Sequence, residues 1–313
     1  MKNSSSPLET SPVSSKKRKI SSIAKEAKES EPLPYQPLLK LEAGDVFVVG
    51  SGDCGQLGLG QDVLEKERPA LIEYFRDKEI IKVKAGGLHN LALSKTGQVY
   101  SWGCNDQCAL GRGGEETEPA LVTGLPSSVI SLACGDSCSV ALTSDGRVFC
   151  WGTFRDNNGI FGLFCDASVQ STPRLVTELR NIIFIDAGAN HIVAVSREGK
   201  VYTWGVGEQG QLGRKIMSRH VKESSLVPRP INFRPYKLSN KFSKAFAGGY
   251  HTFLLHETGS LYSCGLNNYG QLGTGDTTSV EVPEEVVGVE NIISIGGGEH
   301  HTVALDSKGM QVS

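Results

Sequence analysis

Three sets of residues in this chain have the types and spacing of chemical sites. Gly50, Gly52 and Gly55, in "VFVVGSGDCGQLG", follow an apolar run at the G-x-G-x-x-G spacing of a dinucleotide-binding loop. Cys104/Cys108 and Cys134/Cys138 form two C-x-x-x-C pairs that could hold zinc. His89, His191, His251 and His301 recur in similar contexts and could ligate a metal. The dinucleotide chemistry requires a helix after the third glycine, whose N-terminus holds the pyrophosphate. "QLGLGQD" follows instead, with two more glycines and no 3.6-residue apolar period. Glycine disfavours a helix interior by roughly 1 kcal/mol per site, so no helix starts there.

The glycines belong to a repeat. "VVGSGDCGQLG" (48–58), "SWGCNDQCALG" (101–111), "CWGTFRDNNGIFG" (150–162), "TWGVGEQGQLG" (203–213) and "SCGLNNYGQLG" (263–273) are one pattern five times. A second pattern precedes or follows each, as in "GGLHNLALSKTGQVY" (86–100) and "GANHIVAVSREGKVY" (188–202). Each unit reads as two short β-rich runs joined by a glycine turn, the second ending in an aromatic residue and Gly. Short strands in units of about 50 residues predict an all-β propeller with one four-stranded blade per unit.

Aligning the units also removes the metal sites. A histidine once per blade reads as a structural side chain satisfied within its own blade, and Cys138 fills that position in the remaining unit. Cys108 stands where Gly55 and Gly210 do, Cys134 where Ala85 does, and Cys264 where the tryptophans do. In such slots free Cys acts as a small hydrophobe. His300 differs, because its counterparts are Leu88, Ser137, Asn190 and Tyr250, so no repeat constraint holds it there. It is a functional candidate. No cofactor and no metal are expected, and no Ser/His/Asp order or carboxylate pair points to covalent catalysis.

The 313 residues are 39% hydrophobic with a formal net charge of −2, and 37 glycines against three methionines predict many turns and little helix. No apolar run is long enough for a membrane span, so no membrane partner is expected. Eight cysteines without a secretory signal predict reduced thiols rather than a disulfide framework. Residues 1–40 are basic and poor in apolar side chains, which predicts a disordered tail ahead of a propeller at 41–313. Within the tail, "KKRK" (Lys16, Lys17, Arg18, Lys19) reads either as a solvated charge cluster or as a nuclear import signal. Any affinity for nucleic-acid phosphates would sit in this tail.

The third unit departs from the others. From leading to last glycine the others run 50–58, 103–111, 205–213 and 265–273, whereas this one runs 152–162, two residues longer. The extra length carries Phe154, Arg155, Asp156, Asn157, Asn158, Gly159, Ile160 and Phe161, with Asn-Asn-Gly suited to a tight hairpin turn. One reading is a loop that simply grew; the other is a stiff projection that contacts a partner.

The pairing of G-x-x-H-x-x-A-L with W-G-x-x-x-x-G-Q-L-G resembles the repeat of the regulator of chromosome condensation family, over about residues 44–313. The resemblance implies a β-propeller and exchange of guanine nucleotide on the small GTPase Ran, without covalent chemistry. It implies chromatin as the setting, with nucleosomes, histones and DNA met through the basic tail and the propeller rim, and a nuclear import receptor as a further partner. It makes 154–161 the β-wedge that helps displace the nucleotide, and matches exchange-linked positions to Asp136, His300 and Arg214. A further exchange-linked aspartate of the family falls at Asn190, which keeps the size and loses the charge. It also favours the import-signal reading of 16–19. The family closes its ring with seven blades and this sequence holds five units, so an incomplete ring is expected. A non-catalytic propeller scaffold, or an inactive shortened form, is the competing reading.

Overall fold

A computed structural model describes residues 41–217, 219–233, 240–309 and 311–312. The basic tail and "KKRK" therefore lie outside the described residues. Period-two apolar runs broken by glycine turns fold as expected, into antiparallel sheets whose strands follow one another in sequence. The first sheet comprises Ile80–Ala85, His89–Ser94, Val99–Gly103 and Ala120–Leu121; the second, Val129–Cys134, Cys138–Thr143, Val148–Gly152 and Gln170–Leu175. The third is built from Ile182–Ala187, His191–Ser196, Val201–Gly205 and Arg229–Pro230, and the fourth from Phe242–Ala247, His251–His256, Leu261–Gly265 and Val280–Glu285. A fifth has Ile292–Gly297, Thr302–Asp306 and Gln311–Val312, and a two-stranded sheet, Phe47–Ser51 with Glu65–Leu71, precedes the first. Among the described residues no sheet closes a ring, and no helix is long and apolar enough to cross a membrane.

Gly50, Gly52 and Gly55 end a strand and enter a turn with no helix after it, so the dinucleotide fingerprint is a blade turn. The last glycine of three of these turns, Gly58, Gly111 and Gly213, packs on the next blade. A Cβ on Gly111 would lie 2.6 Å from Nε1 of Trp151, whose N–H donates to the Ala109 carbonyl at 2.8 Å. Trp102 repeats this bond on Gln56 O at 3.0 Å, and Trp102, Trp151 and Trp204 are fully buried. Thus the "WG" and "GQLG" halves of the motif meet across blades and not within one.

The first strands of successive sheets lie side by side, and their C-terminal ends are stitched by main-chain bonds around a depression that all five sheets line. Gly87 N donates to Gly135 O, Asp136 N to Ala189 O, Ala189 N to Gly249 O and Gly249 N to Gly298 O, at 2.8–3.2 Å. Side chains between the sheets form the cores. The largest joins the second and third sheets through Cys138, Val140, Phe154, Phe161, Ile192 and Trp204.

The repeat histidines correct an expectation. Three of them are not satisfied within their own blades: each of the three bonds to a neighbouring blade. His89 Nε2 meets Ser139 Oγ, His191 Nε2 meets Thr252 Oγ1, and His251 Nε2 meets Thr302 Oγ1, each at 2.9 Å. Each hydroxyl donates onward to a carbonyl, of Ala109, Gln211 or Gln271, at 2.7–2.9 Å, so it accepts from the imidazole N–H. Burial keeps these rings neutral, pushing His89 and His251 down to about 4 and His191 to about 3. His301, on the fifth sheet, is exposed.

Candidate functional site

The longer third unit folds as a two-stranded hairpin of its own, Phe154–Asp156 against Gly159–Gly162, separate from the blade that carries it. Asp156 pairs with Gly159, and Arg155 with Ile160. Asn157 and Asn158 make the turn, where Asp156 Oδ1 accepts the Asn158 N–H at 2.8 Å, and Gly159 supplies a φ of 114°. Only glycine adopts that backbone without strain. The two phenylalanines are anchors, because Phe154 and Phe161 are buried in the core between the second and third sheets. Arg155, Asn157, Asn158 and Ile160 are exposed, with Ile160 at 49% presenting an apolar surface beside a guanidinium.

The hairpin borders a cleft that shares Gly87 and Asp136 with the depression lined by all five sheets. The cleft, of about 680 Å³, is lined by Arg155, Asp156 and Asn157 together with Asp136, Asn190 and Tyr250. Asn190 is buried and joins the parts. Its Oδ1 accepts the Arg155 backbone N–H at 2.7 Å, and its Nδ2 faces Asp136 Oδ2 at 3.5 Å. An amide can accept from one neighbour and donate to the other, which a carboxylate at this position could not do. Burial, then the charge of Glu299, raises the Asp136 carboxyl above its ordinary range, and the Arg155 guanidinium opposes this. Tyr250 is raised by burial and by the carboxylates of Glu299 and Asp136.

His300 occupies the repeat position of Asn190 and Tyr250 but lines a different depression, on the fifth sheet. Its ring lies 4.7 Å from that of Tyr269, and its Nε2 is 3.8 Å from Glu299 Oε2. Arg214 stands apart from the cleft. Its guanidinium donates to Ser224 O at 2.7 Å and Thr203 O at 3.1 Å, bracing the turn against the short helix Val221–Leu226. Burial, and the neighbouring Arg229, lower it to about 10. Arg112, one residue past the corresponding glycine of the second unit, makes the same bond to Ser101 O. The arginine of "ALGR" (109–112), at the same place as that of "QLGR" (211–214), is the sequence signal that marks Arg214 as a brace.

Among the described residues, the buried thiols near and beyond the cleft are not poised for covalent work. Burial pushes the Cys138 and Cys264 thiols up to about 12 and raises Cys134 as well, which removes their thiolates at neutral pH. Among the described residues no three His, Cys, Asp or Glu side chains converge as metal ligands. Cys108 takes a φ of 59°, the left-handed backbone of the glycines it replaces. What the site offers is a rigid projection, a carboxylate and a ring of hydrogen-bonding groups, the equipment of a protein-binding surface.

Residues 45–313 match the model of the RCC1-like domain family. The human regulator of chromosome condensation is 41% identical over 288 residues, covering 87% of this chain and 68% of its own length. The chain belongs to the regulator of chromosome condensation family. The Xenopus laevis regulator is 40% identical, over 90% of this chain and 69% of its own length. The crystal structure of Prp20p from Saccharomyces cerevisiae, characterised for binding to Gsp1p and histones, superposes with a TM-score of 0.79 at 36% identity, covering 90% of this chain and 67% of that one. A yeast RCC1 structure bound to Kap60 matches with the same TM-score at 33% identity, over 97% and 71% of the two chains. The family resemblance and the all-β architecture expected from the repeat are thus both borne out.

Proposed function

We infer that this protein is a guanine nucleotide exchange factor for the small GTPase Ran, working on chromatin in the nucleus. The observation that carries the reading is the hairpin of one unit, fastened by Asn190 over a cleft that also holds Asp136, in a chain of this family. Guanine nucleotide exchange factor SRM1 of Saccharomyces cerevisiae is 36% identical over 324 residues, and Prp20p is described with Gsp1p and histones. By these likenesses the partners are Ran, histones and DNA, and an import receptor of the Kap60 kind that reads Lys16, Lys17, Arg18 and Lys19.

No covalent bond is made or broken. A surface that binds nucleotide-free Ran better than loaded Ran must weaken nucleotide affinity by the same factor. The hairpin supplies that difference: Arg155, Asn157, Asn158 and Ile160 press on the GTPase where its nucleotide is held, while Phe154 and Phe161 resist the recoil. Asp136 accepts hydrogen bonds from the displaced segment, and Asn190 keeps hairpin and carboxylate in register. His300 lines the far side of the contact area. Arg214 holds the fourth unit's turn rigid.

The test is release of fluorescent GDP from Ran with and without the purified chain. Acceleration supports the reading, and no acceleration from a folded sample overturns it. That second outcome would favour a scaffold, a use of the repeat consistent with the 34% identity to the ultraviolet-B receptor UVR8 of Arabidopsis thaliana.

A further inference from the structure

One blade interface lacks the polar relay that the others share. The residue after each repeat histidine is Asn90, Ser139, Ile192, Thr252 or Thr302. Asn90 donates to Gln56 O at 2.9 Å, Ser139 to Ala109 O, Thr252 to Gln211 O and Thr302 to Gln271 O. Every accepting carbonyl belongs to the residue two before the last glycine of the preceding unit's turn. This bond ties each turn down onto the next blade. Between the second and third sheets the donor position is Ile192, the histidine position is Cys138, and the acceptor position is Ile160. Cys138 and Ile192 are fully buried in one apolar core, and Ile160 has left the interface to pair with Arg155 in the hairpin.

We propose that Cys138 and Ile192 are positioning residues for exchange: by replacing the imidazole–hydroxyl relay with an apolar seam, they free the 152–162 turn to rise as the hairpin. A hydroxyl at 192 would need an acceptor in a dry site, and the one that serves its counterparts is the turn's own main chain. Satisfying it would draw the turn back toward the blade surface. With Cys and Ile in those places nothing polar asks for the turn, and Phe154 and Phe161 fill the seam instead. The two extra residues give the length of the projection; the missing relay gives it leave to stand.

The inference rests on the Ran reading only for its activity readout. The variants are Ile192→Thr and Cys138→His/Ile192→Thr, with Thr252→Val removing the relay at the next interface as the control. Two quantities are read: kcat and KM for GDP release from Ran, and hydrogen exchange of the peptide spanning 152–163. Both 192 variants are expected to lower kcat about tenfold with KM unchanged within twofold, and to speed exchange of that peptide about tenfold. Thr252→Val is expected to lower the melting temperature but to leave both readouts within twofold. Should a 192 variant unfold, Ile192→Ala, which keeps the site apolar, must retain both readouts within threefold. Folded 192 variants with parental kcat and parental protection overturn the proposal, and so does equal slowing by Thr252→Val. If the parent chain releases no GDP, the Ran reading fails and the peptide's exchange alone decides the inference.

Discussion

Acidification from pH 6.5 to 5 is expected to destabilise the propeller by about 5 kcal/mol, through three rings. His89, His191 and His251 each give an Nε2–H to a neighbouring hydroxyl in a dry interface, and Nδ1 of His191 and His251 has no partner to receive a second proton's bond. In the folded state the rings titrate at about 4, 3 and 4, whereas an unfolded chain takes up the protons at about 6.5. Their contribution is therefore fully present above about pH 7.5, is already falling at about 6.5, and approaches a loss of about 1.4 kcal/mol per ring per pH unit, or about 4 for three, below about 5.5. Asp136 and Asp186, raised by burial, act in the opposite sense by protonating more readily when folded. Glu73, Glu115, Asp145 and Asp166 are held low by hydrogen bonds and lose their contribution only below about pH 4.5. Urea unfolding of the purified chain at half-unit intervals between pH 7 and 5 measures the slope, and His191→Asn should lower it by about a third. A flat profile, or a slope untouched by His191→Asn, would refute the argument that these rings are locked neutral between blades.

Exposed hairpin positions should separate function from stability. Ile160→Asp and Arg155→Ala are expected to slow GDP release at least tenfold while moving unfolding free energy by under about 0.5 kcal/mol, whereas Phe154→Ala should cost about 3–5 kcal/mol in a denaturation curve. Asn190→Ala removes the acceptor of the Arg155 N–H and should slow release; Asn190→Asp keeps that acceptor but sets a second carboxylate against Asp136, so its release rate should rise toward parent as pH falls. Arg214→Ala should lower unfolding free energy by about 1–3 kcal/mol, because the Ser224 and Thr203 carbonyls lose their donor, with its effect on release tracking the melt.

Much of this architecture can be read along the chain. Turn glycines recur at a fixed spacing because positive φ is needed at each blade, and a two-residue excess in one unit was enough to locate the hairpin. Which hairpin residues face outward could not be read from length, since Phe154 and Phe161 look as available as Ile160 until the core between two sheets is built. The histidines were misassigned to their own blades because a repeat aligned with itself hides bonds that join one copy to the next; the partners of His89 and Ser139 lie 50 residues apart. Reading down the column Asn90, Ser139, Ile192, Thr252, Thr302 would have exposed the apolar exception. The resemblance points to Arg214 as an exchange position, while Arg112, two units earlier, shows that the same place in the repeat also braces a turn.

The stitches around the depression have a consequence for how such a protein can change over generations. Gly87, Asp136, Ala189 and Gly249 join blade to blade through their amides alone. The spacing of the ring is thus written in main chain, and the side chains at these positions carry none of it. At Gly87 and Gly249 an added Cβ would lie 3.1 Å from Asp136 Cα and 2.9 Å from Glu299 Cα, so glycine keeps those blades close, whereas the second sheet carries a carboxylate, Asp136, at the same position. Selection can edit one copy of the repeat into a recognition element and leave its siblings plain, which is how five near-identical units come to hold a single hairpin.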